Sequence, residues 1–232
     1  MRIYRNFQEA FSEVKRDLVE MGIRVHAKTY QDKYIADNPD FGTRELQNYI
    51  YTVTDPNPAY LNPVQPWADL EWQERLAGIE GKPNAKLNPG EAWKAREDVW
   101  RQFLQADGKF AYTYGDRFRS HRQVRIMINR IKVDPDSRQL YISIWNPIDV
   151  HKLGGVSRVP CSLGYLIQIR KGKLNITYNM RSCDFITHFN NDVYLACKLQ
   201  AYMADQTGYE VGTFTHWIGS LHIFNKDSKG VF

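Results

Sequence analysis

The stretch "CSLGYLIQIRKGKLNITYNMRS", residues 161–182, contains two runs in which apolar residues alternate with polar ones. Such alternation, with many β-branched and aromatic residues, predicts two strands that each bury one face, over 161–172 and 173–182. The residues at 171–173, Lys-Gly-Lys, favour a tight turn between the two strands. The pattern therefore predicts an antiparallel hairpin whose two open ends, near residues 161 and 182, lie side by side.

The rest of the chain places helices before this hairpin and one more helix after it. Apolar residues at helical spacing, together with Gly and Pro stop signals, predict helices over 7–21, 44–53, 68–80, 91–105, 123–134 and 192–208. Further strands are predicted over 138–146 and 212–224, and the Pro- and Asn-rich segment 55–67 is predicted to be irregular. Helices first and strands later indicate a single α+β domain over residues 1–232.

Composition limits the classes of protein to which the chain can belong. It has 232 residues, of which 43% are hydrophobic, so it can bury a sizeable core. A net charge of +5 fits an anionic ligand, but no Lys/Arg-rich run marks a nucleic-acid surface, so nucleic acid is an unlikely partner.

Cysteine spacing and hydropathy argue against several kinds of site and location. The three cysteines have no CxxC spacing, so neither a zinc site nor a disulfide framework is expected, and no metal is predicted. The amphipathic start of the chain does not resemble a signal peptide, and no apolar run is long enough to span a membrane. We therefore predict a soluble protein of the cytoplasm.

Cys161 is the first candidate for chemistry. A free cysteine is most often a plain core residue. However, Arg181 lies at the end of the partner strand of the hairpin, where its guanidinium would come close to the thiol. A nearby cation favours the thiolate and can hold an anion. The pair indicates a thiol nucleophile that acts on a phosphorylated substrate, whereas Cys183 is expected to be structural.

Several separated motifs together resemble the thymidylate synthase family. They are "DPDSR" at 134–138, "WNP" at 145–147, "PC" at 160–161, "RSCD" at 181–184 and "GSLHIF" at 219–224, in family order over roughly residues 42–226. The resemblance implies a mixed sheet flanked by helices and a homodimer formed through the sheet. It also implies a reaction between a pyrimidine nucleoside monophosphate and 5,10-methylenetetrahydrofolate, without a metal.

The resemblance gives roles to particular residues. It implies that Cys161 adds to C6 of the pyrimidine, that Arg181 and Ser182 hold the 5′-phosphate, and that Arg138 reaches the phosphate in the other subunit's site. It further implies active-site roles for Glu45, Tyr114, Trp100, Asp184 and His222. Glu45 would organise proton transfers, Tyr114 and Trp100 would be the active-site aromatics, Asp184 would lie near folate and base, and His222 would touch the sugar.

Asp192 decides which branch of the family the chain resembles. The synthases carry Asn at this place, and its amide matches O4 and N3–H of uracil. An Asp instead accepts from the N4 amino group of cytosine, and when protonated it donates to N3, which requires a pKa raised by burial. This residue makes the chain similar to the phage deoxycytidylate hydroxymethylases. The alternative is that Asp192 is only the N-cap of the helix over 192–208.

Two further features favour attack by water over hydride transfer. Two others leave open whether the sugar is deoxyribose or ribose. Ser162 stands where the synthases have a histidine, and the chain ends soon after Phe224. Gln139 replaces a second Arg, and Phe224 replaces a tyrosine that binds the sugar, so both dCMP and CMP are candidate substrates. The expected activity is 5-hydroxymethylation, in a host cytoplasm if the gene belongs to a phage. A synthase acting on dUMP and a non-catalytic nucleotide-binding relative are the alternatives.

Overall fold

A mixed β-sheet forms the centre of the protein. The computed structural model describes residues 2–30, 33–153 and 158–229, apart from the side chain of Lys33. Within them, the sheet has seven strands: β1 (Arg2–Tyr4), β2 (Ile23–Val25), β5 (Thr43–Val53), β6 (Tyr141–Ser143), β7 (Ser162–Arg170), β8 (Lys173–Asp184) and β9 (Glu210–Phe224). The order is β1-β5-β9-β8-β7-β6, with β2 paired to β5, and β3 (Thr29–Tyr30) and β4 (Lys33–Tyr34) form a separate ribbon.

The predicted hairpin is confirmed as β7 and β8. These strands pair antiparallel from Ser162↔Met180 to Arg170↔Lys173. Lys171 and Gly172 between them have φ values of 51° and 72°, both left-handed, as a two-residue hairpin turn requires. β8 then pairs parallel with β9, while β9 pairs antiparallel with β5. The sheet is therefore mixed.

Helices lie before β6 and between β8 and β9. They are α1 (Phe7–Met21), α2 (Trp67–Glu80), α3 (Glu97–Trp100), α4 (Tyr114–His121), α5 (Gln123–Val133) and α6 (Phe189–Thr207). The predictions over 7–21, 68–80 and 123–134 are confirmed within a residue or two. The last helix begins three residues earlier than predicted and ends, as expected, at Gly208, whose φ of 76° suits a helix stop.

Three predicted elements differ from the structure. The helix expected over 44–53 is wrong, because this segment is the long strand β5. Its β-branched and aromatic residues fill the sheet between β9 on one side and β1 and β2 on the other. Residues 91–105 form short 3₁₀ turns around α3 instead of one helix, and the strand expected over 138–146 covers only 141–143.

The core lies between one face of the sheet and the helices. Along β8, Leu174, Ile176, Tyr178 and Met180 are buried, while the residues between them are half-buried or exposed. α1 and α6 cover the buried face, with Phe7 of α1 packed edge-on against Phe214 of β9 at 5.4 Å between ring centroids. The homodimer through the sheet stays a prediction. Among the described residues, no helix is long and apolar enough to cross a membrane.

Candidate active site

A cavity of about 430 Å³ opens where the ends of β5, β8 and β9 meet α2, α4 and α6. It collects nine of the ten predicted site residues: Glu45, Trp100, Tyr114, Cys161, Arg181, Ser182, Asp184, Asp192 and His222. The tenth, Arg138, is exposed in the turn before β6 and does not line the cavity. Its predicted role in a partner's site remains a prediction.

A β-bulge shapes the backbone next to Cys161, which directly precedes β7. Ser162 pairs with Met180 and Gly164 pairs with Asn179, so Leu163 is an additional residue on β7. Gly164 has a φ of 152°, and a Cβ there would lie 2.2 Å from the carbonyl oxygen of Ile142, so only glycine fits. Bulges of this kind redirect a strand end and are frequent beside active sites.

Arg181 lies beside Cys161, as the hairpin predicted. Its Nε donates to the carbonyl oxygen of Pro160 at 2.8 Å, and its Nη2 donates to that of Val159 at 3.3 Å. These bonds hold Nη2 at 3.9 Å from Sγ of Cys161. The guanidinium is thus fixed by backbone acceptors of the segment that carries the thiol.

Burial and neighbouring charges act on the pKa of Cys161 in opposite directions. Burial raises the pKa of the thiol, and the positive charges of Arg181 and Arg158 offset this only in part, while Asp192 raises it further. Arg181 thus favours the thiolate, as expected, but burial outweighs its charge. The protein holds a thiol that must lose its proton before it can attack.

Three predicted residues stand in a row on adjacent strands. Glu45 of β5 pairs with His222 of β9, which pairs with Asp184 of β8. Oε2 of Glu45 accepts a 2.5 Å hydrogen bond from Ser220, and burial lowers the pKa of His222, so its imidazole is neutral near pH 7. Oδ1 of Asp184 accepts from two backbone N–H groups of the turn that leads into α6.

Asp192 lies inside α6 rather than at its cap. The helix begins at Phe189, and the backbone N–H of Asp192 already donates to the carbonyl oxygen of His188 at 2.9 Å. The N-cap alternative is therefore wrong. Burial raises the pKa of the carboxyl to about 7, with Arg75 lowering it and Glu71 and Asp184 raising it. The protonated and ionised forms of Asp192 are therefore similarly populated at neutral pH.

Sequence reasoning missed a buried ion pair on α2. Arg75 is 2% exposed, and its Nε and Nη2 donate to Oε1 of Glu71 at 3.1 and 2.5 Å. Its guanidinium also lies 4.2 Å from the ring centroid of Tyr114. Both charged residues line the cavity. The available signal was a Glu and an Arg four residues apart on a helix with buried tryptophans.

The far end of the cavity is aromatic. Trp100 lies 5.8 Å from Trp67 and 6.1 Å from His188 between ring centroids, and the guanidinium of Arg158 lies 4.5 Å above Trp100. The indole nitrogens of Trp100 and Trp93 are buried without a hydrogen-bond partner among the described residues. A flat heteroaromatic ligand fits this end, because it would find rings to stack on.

Comparisons with known proteins identify the family. Residues 80–231 match the family model described as thymidylate synthase. The chain belongs to the thymidylate synthase family. Proteins named "Putative thymidylate synthase" from Methanosarcina barkeri and Methanosarcina acetivorans are 28% and 26% identical over 220 residues, each match covering 91% of this chain and 94% of the relative.

A solved structure supports the fold. The thermostable thymidylate synthase A from Bacillus subtilis superposes with a TM-score of 0.72 at 21% identity, covering 97% of this chain and 82% of that one. The predicted thymidylate-synthase-like fold, one domain with a mixed sheet flanked by helices, is confirmed. Thymidylate synthase family enzymes are folate-dependent pyrimidine methyl- or hydroxymethyltransferases that use methylenetetrahydrofolate. Within the described ranges, no cluster of acidic, histidine and cysteine side chains could hold a metal ion.

Proposed function

We propose that the protein is a cytidylate 5-hydroxymethyltransferase that acts on dCMP or CMP with 5,10-methylenetetrahydrofolate. The observation that carries the proposal is Asp192, whose carboxyl lines the cavity with a pKa raised to about 7. A neutral carboxyl donates through its O–H and accepts through its carbonyl oxygen. Cytosine presents the matching pair, an acceptor at N3 and a donor at N4, whereas uracil presents a donor at N3 and an acceptor at O4.

The nucleophilic step follows from the sheet side of the cavity. Arg181 and Ser182 hold the 5′-phosphate, which places the pyrimidine ring over Cys161. The thiolate of Cys161 adds to C6 and makes C5 nucleophilic. During this addition, Asp192 donates its proton toward N3 and so stabilises the charge that develops on the ring. C5 then attacks the methylene carbon of the folate cosubstrate, and loss of the C5 proton with departure of tetrahydrofolate would leave an exocyclic methylene on C5.

Water rather than hydride must then add to this exocyclic methylene, and the thiolate of Cys161 leaves C6 as the hydroxymethyl product forms. Two carboxylates can steer that water. Glu45, the residue predicted from sequence, is hydrogen-bonded to Ser220 and Gln47. Glu71 accepts both bonds from Arg75 at Oε1, so its Oε2 has no partner among the described residues. The free oxygen makes Glu71 the stronger candidate for binding the water, and Glu45 the candidate for protons near His222.

The remaining predicted residues complete the binding of both substrates. Trp100 would stack against the folate ring at the aromatic end, and Asp184 would lie near folate and base. His222 would touch the sugar next to Phe224, which is buried against it at 5.1 Å between ring centroids. Arg138 would supply a further cation to the phosphate of a partner subunit in a homodimer. These assignments follow the family resemblance.

A second candidate is a thymidylate synthase that acts on dUMP. The names of the Methanosarcina relatives favour it. In that case an ionised Asp192 would accept from N3–H of uracil but would repel O4.

A nucleotide panel separates the two activities. The protein is incubated with methylenetetrahydrofolate and with dCMP, CMP or dUMP in separate vessels, and products are identified by mass spectrometry. A hydroxymethyl product from a cytidine nucleotide supports the proposal, and comparison of dCMP with CMP gives the sugar preference. A methyl product from dUMP alone, with dihydrofolate, would refute it in favour of the synthase.

A further inference from the structure

Arg75 is the largest fully buried side chain among the described residues, and it lies at the floor of the cavity. Its guanidinium stays charged under all ordinary conditions. Nε and Nη2 are engaged by Glu71, and Nη1 donates to no described residue. A buried cation is costly unless anions share it, and Glu71 supplies one such anion.

The floor of the cavity thus holds one cation and two carboxylates. Glu71 lies on α2 with Arg75, and Asp192 lies on α6, which packs against α2. While Glu71 neutralises Arg75, a second negative charge at Asp192 has no cation of its own and is disfavoured in a desolvated site. Asp192 therefore keeps its proton to a higher pH when Glu71 is ionised than it would without Glu71.

We propose that the Glu71–Arg75 pair is a positioning element that sets the charge of Asp192, and through it the choice between cytosine and uracil. The inference rests on the proposed function. It adds that base choice depends on a pair on α2 and not on Asp192 alone. Breaking either half of the pair has opposite consequences. Without Glu71, the unpaired Arg75 favours ionised Asp192, and without Arg75, the remaining carboxylates favour neutral Asp192.

Other groups around Asp192 are uncharged at neutral pH or act on it more weakly than Arg75. Asp184 of β8 raises the pKa of Asp192, but after Arg75 and Glu71 in size. The remaining titratable neighbours are thiols and phenols, all with raised pKa values and hence neutral: Tyr112, Tyr114 of α4, Tyr165 of β7, Tyr178 and Cys183 of β8, and Cys161. The α2 pair is the switchable element in this set.

The test measures binding, so it does not depend on any catalytic role of Glu71. Dissociation constants of dCMP and dUMP are measured by calorimetry from about pH 5.5 to 9. Their ratio is then plotted against pH, which cancels the ionisation of the common phosphate. In the unmodified protein the preference for dCMP should fall with a midpoint near pH 7, because ionised Asp192 can no longer donate to N3.

The two variants should move this midpoint in opposite directions. Arg75→Met should raise the midpoint by about one pH unit, and Glu71→Gln should lower it by about one pH unit. A packing defect alone would weaken both nucleotides without such opposite shifts. The matched control is Arg130→Met, which breaks an exposed Arg–Asp pair of the same i,i+4 spacing at the C-terminal end of α5 and should leave the midpoint unchanged.

Each outcome decides one question. If the unmodified protein shows no pH-dependent preference for dCMP, the proposed function fails. If that preference is present but both variants leave its midpoint unchanged or move it in the same direction, the inference fails and the proposed function stands. Should Arg75→Met not fold, Glu71→Gln alone decides, since a downward shift supports the inference and an unchanged midpoint overturns it.

Discussion

The two sides of the cavity are built in different ways. The sheet side comes from neighbouring strand ends and carries Cys161, Arg181, Ser182, Asp184 and His222. The helix side comes from three separate helices, and its members are Glu71, Arg75, Tyr114 and Asp192. Strand pairing fixes the first set locally. The positions of the second set depend on how α2, α4 and α6 pack. Its charged side chains interact strongly because that part of the cavity is poorly solvated.

The arginine on each side shows how the two sides differ in function. Arg181 donates to backbone carbonyls and has no acidic partner among the described residues, so its charge is available to a phosphate. Arg75 is neutralised by Glu71 and buried, so its charge acts on a neighbouring proton instead. The sheet side binds and attacks the nucleotide, whereas the helix side discriminates between bases.

Loss of the nucleophile should have the largest effect on the sheet side. Cys161→Ala should lower turnover by at least about a thousandfold, because no other group can form the bond to C6. Nucleotide affinity should change little, since phosphate and base contacts remain. The control is Cys197→Ala, a buried cysteine of α6 outside the cavity. Turnover of Cys161→Ala near that of the control would remove Cys161 from the mechanism.

The sequence alone predicted the sheet side well and the helix side poorly. Alternation over 161–182 gave the hairpin, and the hairpin brought Arg181 to Cys161. Glu45 was placed in the cavity by resemblance although its segment was taken for a helix instead of β5. Glu71 and Arg75 were missed despite their spacing on a tryptophan-containing helix, because a Glu–Arg pair at i,i+4 is ordinarily a solvated surface pair. Only tertiary packing shows that Arg75 is buried.

A pair of carboxylate variants compares the two sides directly. Glu71→Gln should lower kcat by about a hundredfold or more for loss of water activation, and Glu45→Gln by less, because Glu45 is already engaged by Ser220. Single-turnover kinetics with the nucleotide at saturation measure both. A larger loss in Glu45→Gln would move the water-activation role to the sheet side.

Removal of the phosphate cation should have a smaller, binding-centred effect. Arg181→Met should weaken nucleotide binding by about 10- to 100-fold, through lost charged hydrogen bonds. It should also raise the pKa of Cys161 further, seen as a higher pH midpoint for alkylation of the thiol. Arg170→Met, at the other end of the same hairpin, is the control. Unchanged affinity would show that the phosphate binds elsewhere.

The smallest expected effect concerns a histidine in the core that is buried without a charged partner. His216 is fully buried and stacked on Tyr178, and burial lowers its pKa to about 3. The unfolded chain binds a proton at His216 below about pH 6.5 while the folded protein does not, so acidification destabilises the fold. The expected loss is roughly 1.4 kcal/mol per pH unit between about pH 6 and 4.

Urea unfolding of the unmodified protein and of His216→Gln over this pH range measures that contribution. The variant lacks the titrating imidazole and should show a shallower decline in unfolding free energy with acid. Equal declines in the two proteins would mean that His216 does not supply the acid sensitivity.

Base choice is the central claim, and a competition assay tests it most directly. Equimolar dCMP and dUMP are offered in one vessel with methylenetetrahydrofolate, to the unmodified protein and to Asp192→Asn, and both products are counted by mass spectrometry. The account predicts that the unmodified protein forms the hydroxymethylcytosine nucleotide in at least about hundredfold excess and that Asp192→Asn shifts consumption toward dUMP. Preferential use of dUMP by the unmodified protein, or the same product ratio in the variant, would contradict it.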